Sequence, residues 1–381
     1  MRISFIVIIR EHADTLEACL QGVLGAAGPG DEVILVDEHS QDASRMVIAM
    51  APRQLRRDHP LHGKIEVPGP LPRQDAAHSH VVKWRPMRLG ARPRAGLAVA
   101  ANAGLSMATG DAVIVLSGKE QLDPAGISAA RATLKDSGAD IVLGRFSGAY
   151  CDDERPHWNR QHSDQSAAVM LEAQPSRMML RRDFMQAEGL RFTEGPFMLE
   201  EHLFHWRACL RARHIRLLDR VVSYAQQVAQ EAPQDAETLS VVFAHFQRIA
   251  LMLTPDGPHA ALREWLARMV GRHLTALPPM DYWVYAAAAD PSALAGEWPG
   301  GRGGRALAAL SNRPLWQAVA LWQSEAIWAD LAGQAADDAP VVQDPGAALP
   351  AQAANRAIAL WRGMRSATSS AGVSGPDNAS A

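Results

Sequence analysis

Charged side chains that could do chemistry gather where apolar runs stop. Asp37-Glu38-His39-Ser40 follows the run Glu32–Val36, and Ser117-Gly118-Lys119-Glu120 follows Ala112–Leu116. Glu200-Glu201 opens a helical stretch that reaches Arg211. Carboxylates in such places accept hydrogen bonds from hydroxyl and base donors, and a lysine there can meet a phosphate as a point charge. Each cluster also has a plain structural role available. A carboxylate after a strand serves as a turn residue or helix cap, and acidic residues in a first helical turn are favoured by the macrodipole. Metal chemistry of the zinc type is disfavoured by spacing. His59, His62, His78, His80, His157 and His162 lie in irregular stretches, and no helical His pair has a neighbouring Glu in the metalloprotease spacing. Cys19, Cys151 and Cys209 are odd in number and far apart, so they form neither a ligand set nor a disulfide framework. That pattern fits a reducing, cytoplasmic compartment.

The elements that must position these clusters alternate. Ile3–Ile9 is a nearly continuous apolar run, as expected of a strand covered on both faces. Leu16, Leu20, Val23 and Leu24 then recur at helical spacing, and Gly28-Pro29-Gly30 turns the chain into the strand Glu32–Val36. A second helix is expected over Asp42–Met50. Strand, helix, strand with acids at the tip is the layout of a nucleotide-binding sheet, whose ligands sit beyond the carboxyl ends of its strands. No Gly-x-Gly-x-x-Gly follows the first strand, which disfavours a dinucleotide-dependent oxidoreductase. Arg53–Arg94 reads as a long irregular connection with one strand candidate, Val81–Trp84. Helix Leu97–Met107, strand Ala112–Leu116, a helix opened by Asp123-Pro124 and strand Asp140–Phe146 follow. Ser176–Arg182, Ile215–Leu218 and Val221–Tyr224 are further strand candidates, with helix Glu201–Arg211 among them.

Beyond about Gln230 only helical patterns recur, over Thr238–Leu253, Ala260–Thr275, Pro279–Ala288 and Leu315–Leu331. Trp316, Trp322 and Trp328 do not share one helical stripe, so packing within the helices is their expected role. The reading is an α/β domain over residues 1–228, a helical appendage over 229–364 and a disordered Ser/Ala/Gly-rich tail over 365–381. A net charge of -3 argues against a dedicated nucleic-acid binder. No run reaches the roughly 18 apolar residues of a membrane span. The first apolar run is too short, and too soon followed by Arg10 and Glu11, for a signal peptide. Peripheral contact with the inner face of a membrane stays open.

Four marks in order resemble glycosyltransferase family 2. The opening Ser4–Glu11 with its following helix is similar to the family's strand, Pro-x-Tyr-Asn turn and helix, with Ile8, Arg10 and Glu11 at the Pro, Tyr and Asn positions. Val36-Asp37-Glu38-His39-Ser40-Gln41-Asp42 resembles Val-Asp-Asp-Gly-Ser-Thr-Asp. Ala100-Ala101-Asn102-Ala103-Gly104 with Ala108-Thr109-Gly110-Asp111 resembles the third mark, with Ala101 in place of Arg. Gly189-Leu190-Arg191-Phe192 and Glu200-Glu201-His202-Leu203-Phe204 resemble the fourth. The tract Phe204-His205-Trp206 is similar to bacterial enzymes that build capsule or wall polymers.

The resemblance implies a GT-A fold, a Rossmann-like and mostly parallel sheet flanked by helices. It implies transfer of a sugar, with inversion, from a nucleotide-diphosphate donor to a hydroxyl on a glycan or lipid-linked acceptor, in cell-surface polysaccharide synthesis. Asp37 and Glu38 would bind base and ribose, with Ile9 and Glu11 lining the same pocket. Asn102 would position backbone near the donor or simply pack its helix. Glu201 would be the general base, with Glu200 on the acceptor side. The family closes its central strand with Asp-x-Asp, which holds Mg or Mn on the diphosphate. Here Ser117 and Lys119 occupy those two positions, and Glu120 alone stays acidic as a weak metal candidate. Two readings stand. Either Lys119 replaces the metal at the diphosphate, or the domain is catalytically silent and serves as a binding or scaffold protein.

Overall fold

Ile3–Ile9 forms strand β1 with every residue buried, as an apolar run with sheet neighbours and helices on all sides requires. In the computed structural model the described residues are 1–58, 65–66, 82–89, 96–148, 165–194, 199–226 and 236–273. Along them run β1 (Ile3–Ile9), α1 (Leu16–Ala26), β2 (Glu32–Asp37), α2 (Ser44–Asp58), β3 (Ile65–Glu66), β4 (Val82–Arg88), α3 (Gly96–Met107), β5 (Ala112–Ser117), β6 (Glu120–Leu122), α4 (Pro124–Ser137) and β7 (Ile141–Ser147). Then follow α5 (Gln165–Met170), a 3₁₀ turn (Pro175–Arg177), β8 (Met178–Arg181), α6 (Arg182–Ala187), α7 (Glu200–Arg211), β9 (Ile215–Ala225), α8 (Ala236–Met252) and α9 (His259–His273). The sheet order is β3-β4-β2-β1-β5-β8-β7-β9-β6. The half from β3 to β5 is parallel throughout, β8 runs antiparallel to both its neighbours, and β6 runs antiparallel to β9. The mostly parallel α/β sheet read from the sequence is the observed fold class.

The core on one side of the sheet joins Phe5, Val7 and Ile9 of β1 to Leu16, Leu20, Val23 and Leu24 of α1 and to Ile127 and Leu134 of α4. α4 begins as its sequence requires. The Asp123 carboxylate accepts a hydrogen bond from the Gly126 N–H at 2.6 Å, Pro124 sits in the first turn, and left-handed Gly138 closes the helix. On the other side, Gly104 of α3 lies so near Ile6 and Val36 that an added Cβ would overlap Ile6. Its lack of a side chain lets the helix seat on the sheet.

Several elements differ from their sequence reading. β4 runs on through Pro86 to Arg88, because β3 pairs only with Val82 and Lys83. From there β4 has one described neighbour, the situation in which a strand tolerates Pro. Ser176 and Arg177 lie in a 3₁₀ turn and not in a strand, held by side-chain bonds to Glu120 and Ser223 and to the Gly144 carbonyl. The two strands expected over 215–224 are one, β9, with Asp219 and Arg220 bulged out of register where Asp219 meets Arg145 at 3.0 Å. β6 had no sequence signal, since three residues carry no period.

The chain divides into two units, residues 1–232 and 233–381. Of the second, α8 and α9 are described. They bury Phe243, Phe246, Ile249, Leu262, Trp265 and Val270. The helices expected over Pro279–Ala288 and Leu315–Leu331, and the tail over 365–381, lie outside the described residues, as does most of Arg53–Arg94. Among the described residues no helix is long and apolar enough to cross a membrane.

Candidate functional site

Parallel pairing sets three strand ends side by side. Ile9 is in register with Asp37, and Ile8 with Ser117. The ladder runs one step further into the loops, where the Glu38 N–H bonds the Ile9 carbonyl and the Gly118 N–H bonds the Ile8 carbonyl, both at 2.8 Å. The carboxyl ends of β1, β2 and β5 therefore form one rim, with Ile9 at its centre.

The loops leaving β1 and β2 are stitched together. The Glu11 carboxylate accepts from the N–H groups of Gln41 (2.7 Å) and Asp42 (3.0 Å), and Ser40 Oγ accepts from the Glu11 N–H. Asp37 Oδ1 accepts from the Ser40 N–H at 2.9 Å, while its other oxygen lies 3.5 Å from Arg88. Glu11 thus organises the loop backbone and remains exposed, whereas Asp37 is buried at the floor. Glu38 has a nearly covered side chain, 3.8 Å from Arg10, and its Oε1 has no hydrogen-bond partner among the described residues. Burial raises its pKa above the ordinary carboxylate value, with Asp37 adding to the rise and Arg10 opposing it.

At the end of β5, Glu120 turns inward. Its carboxylate accepts from the Ser117 N–H at 2.7 Å and the Ser176 hydroxyl at 2.9 Å, and burial pushes it up to about 7. Lys119, at the apex, is exposed and has no ion-pair partner among the described residues. Beneath the turn lies His12, which the sequence had not singled out. A Cβ added to Gly118 would come 2.5 Å from its Nδ1. Burial first, and Lys119 second, lower the His12 pKa to about 4, so its ring is neutral at pH 7.

The first turn of α7 is a second wall only in the electrostatic sense, since its acids feel the charges of the strand ends. Glu200 and Glu201 follow Leu199, whose φ is 61°. The Glu200 carboxyl is raised by burial and, further, by the charge of Glu38. Glu201 is raised to about 8, by burial first and then by Glu200, Glu172 and Glu120. Glu200 is the more covered of the two by surface, yet the Glu201 carboxyl lies deeper among other carboxyls and shifts further. Glu38 and Glu120, on strand ends, are thus within electrostatic reach of Glu200 and Glu201, on the helix. Glu172, buried in the same crowd, is a neighbour that no sequence pattern marked.

Asn102 faces elsewhere. Its amide donates to the Phe192 carbonyl and to Glu194, and accepts from the Phe192 N–H, each at 2.9 Å. Phe192 stacks on Phe204 of α7 with ring centroids 4.0 Å apart, and Arg207 donates to the Arg191 carbonyl. The third and fourth sequence marks are therefore parts of one brace that holds α7 against α3. Three non-glycine residues among those described have positive φ: Glu11 (53°), His39 (59°) and Leu199 (61°). All three flank this rim.

Residues 75–205 match the family model of glycosyl transferase family 2. That stretch includes α3, β5, the Ser117–Glu120 turn and the first turn of α7. No curated protein matches. Among solved structures, S. aureus TarS 1-349 in complex with UDP-GlcNAc is similar at a TM-score of 0.55 and 16% identity, over 77% of this chain and 83% of that one. S. aureus TarS 1-349 in complex with UDP gives 0.54 and 15%, over 88% and 92%. The longer S. aureus TarS structure gives 0.53 and 15%, and this chain spans 54% of its length. At such identities the likeness is one of fold, and the fold is GT-A.

The residues present do not make the divalent-cation site that this fold often carries. Ser117 and Lys119 bring no carboxylate, and Glu120 is committed to Ser117 and Ser176. Among the described residues no three His, Cys, Asp or Glu side chains are grouped to hold a metal.

Proposed function

We propose that the protein is an inverting glycosyltransferase that takes a sugar from a nucleoside-diphosphate donor and passes it to a hydroxyl acceptor. The observation that carries the reading is the registered rim of Ile9, Asp37 and Ser117, whose neighbours Glu38 and Glu120 come within electrostatic reach of Glu200 and Glu201. The nucleoside lies against Asp37 and Glu38, with Ile9 and Glu11 beside it, and the diphosphate lies towards Ser117 and Lys119. Asn102 acts through the Phe192 brace that sets α7. The acceptor hydroxyl enters on the Glu200 side and gives its proton to Glu201. Its oxygen bonds the anomeric carbon as the bond to the diphosphate breaks. The electron pair leaves with the nucleoside diphosphate, and attack opposite the leaving group inverts the centre. With a pKa of about 8, Glu201 is ionised in about one molecule in ten at pH 7, so transfer rises with pH up to that value.

The acceptor in this reading is a glycan or lipid-linked precursor of a cell-surface polymer, handled on the cytoplasmic side. Peripheral attachment is supported by α2, where Met46 and Met50, one turn apart, are exposed beside exposed Arg45. That UDP-GlcNAc is held by the similar TarS domain makes UDP-sugars the first donors to try. A screen for donor hydrolysis and transfer across nucleotide sugars tests the proposal, with Glu201→Gln made on any positive. Loss of at least about 100-fold in kcat with donor binding intact is expected. A fully active Gln variant would remove Glu201 from the chemistry.

The rival reading, a silent GT-A domain that binds partners, is favoured by one observation: Ser117, Lys119 and the inward Glu120 replace the metal-binding carboxylates. It predicts no response to any nucleotide sugar.

A further inference from the structure

The end of β5 lacks the donor set for a divalent cation, yet it carries a different positive charge in a fixed place. Lys119 stands at the apex of the turn between β5 and β6. Four hydrogen bonds fix the backbone on either side of it. The Gly118 N–H bonds the Ile8 carbonyl at 2.8 Å, the Lys119 N–H approaches Ser117 Oγ at 3.4 Å, the Gln226 N–H bonds the Lys119 carbonyl at 3.1 Å, and Gln226 Nε2 bonds the Glu120 carbonyl at 3.2 Å. A side chain on such a turn has its root held while its ammonium group reaches into solvent at the rim.

The surroundings leave that charge unneutralised. The adjacent acid, Glu120, is sealed beneath the turn, with both oxygens bonded to protein donors. The imidazole below, His12, is uncharged at neutral pH, so it neither competes for an anion nor pairs with the lysine. The other two cations of the rim are directed to its acids, Arg10 towards Glu38 and Arg88 towards Asp37. Lys119 alone among these three faces no carboxylate within ion-pair distance among the described residues. The charge pattern along the rim is therefore acid with arginine at the β2 end and a free ammonium at the β5 end. A nucleoside diphosphate has the matching order, with hydroxyl and base donors at one end and anionic oxygens at the other.

We propose that Lys119 takes the place of the divalent cation, so that this site binds the diphosphate of a nucleoside diphosphate without metal. The inference rests on the donor-site reading above and deepens it. A lysine offers one charge where a divalent ion offers two, and it cannot bridge two phosphates with fixed geometry. Metal-free binding is therefore weaker and more sensitive to salt than binding through a coordinated ion. Arginine at this position would keep the charge. Alanine would leave an uncharged turn that pulls no anion towards β5.

Calorimetric titration of the full chain with UDP, GDP, ADP, CDP and TDP, each in excess EDTA and again in manganese, tests this. The expected result is that one of them binds in EDTA with a Kd that manganese changes less than about threefold. Lys119→Ala weakens that binding by about 10- to 100-fold, while Lys119→Arg stays within about fivefold. Because Lys119 is an exposed turn residue, both variants should melt with the parent, and the arginine variant guards against a fold effect. Binding seen only with manganese overturns the inference and leaves donor binding standing. Metal-free binding that Lys119→Ala does not weaken removes the lysine from the role. If no nucleoside diphosphate binds in either buffer, the donor-site reading itself falls, and this inference with it.

Discussion

Glu201→Gln should make the protein more stable at alkaline pH while removing its proposed base. The Glu201 carboxyl is raised from an ordinary 4.5 to about 8, first by burial and then by Glu200, Glu172 and Glu120. Between those two values the folded state keeps a proton that the unfolded chain releases. Proton release accompanies unfolding there, so stability falls as pH climbs from about 4.5 to about 8. The interval is about 3.5 pH units, and at about 1.4 kcal/mol for each the ceiling is about 5 kcal/mol. Part of that belongs to the neighbouring carboxyls, which relax when one of them is made neutral, so a single replacement should return about 2 kcal/mol at pH 9. Gln matches the protonated acid in shape and charge, and at pH 4 the two proteins should melt together. For a unit of 232 residues, 2 kcal/mol is about 4–8 °C in Tm. Thermal melts of parent and variant from pH 4 to pH 9 measure this. A Tm difference that stays flat across the range, or a variant less stable at pH 9, would refute the crowded-carboxyl account of this wall.

Two further outcomes concern His39 and the exposed methionines of α2. His39 has φ 59° at the place where the resembling motif has Gly, so His39→Gly should raise stability by about 1 kcal/mol in chemical denaturation, and a clear loss would mean that the imidazole makes a contact worth more than the strain. If α2 lies on a membrane, replacing Met46 and Met50 together with Ser should lower co-sedimentation with anionic vesicles by about tenfold without changing the melt, and unchanged partition would free α2 of that role.

The strands and helices were legible where burial imposes a period. β1 and β2 are covered on both faces, and their nearly continuous apolar runs carry that fact. What escaped was set by tertiary contact. β6 exists because Glu120–Leu122 pairs with Tyr224 and its neighbours, a partnership across some hundred residues. Ser176 leaves the expected strand because its hydroxyl is shared between Glu120 and Ser223. At the rim, motif spacing singled out Asp37, Glu38, Lys119, Glu200 and Glu201, but not the direction each side chain takes. Glu120 turns inward with a local bond from the Ser117 N–H, three residues back, but also needs Ser176, which lies 56 residues away and leaves no local signature. His12 and Glu172 had no mark at all, since one lies under a turn from β5 and the other beside a helix about thirty residues further along.

The distribution of unfavourable terms bears on whether the rim binds a ligand or merely survives from one that did. Each left-handed non-glycine residue costs about 1–2 kcal/mol, and Glu11, His39 and Leu199 place three of them around one edge of the sheet. The same edge holds Glu38, Glu200 and Glu201 with carboxyls raised by burial and mutual repulsion. A domain that only presents an outer surface to partners has no need of either. Strain and crowding of this kind are what a site accumulates when donors and acceptors are held ready for a ligand's polar groups. If His39→Gly and Glu201→Gln each stabilise the fold, the ligand-site account requires that each also weaken nucleotide binding or transfer. A double variant that gains the sum of both stabilities and still transfers sugar at the parent's rate would show the tension to be idle and would remove both residues from the site.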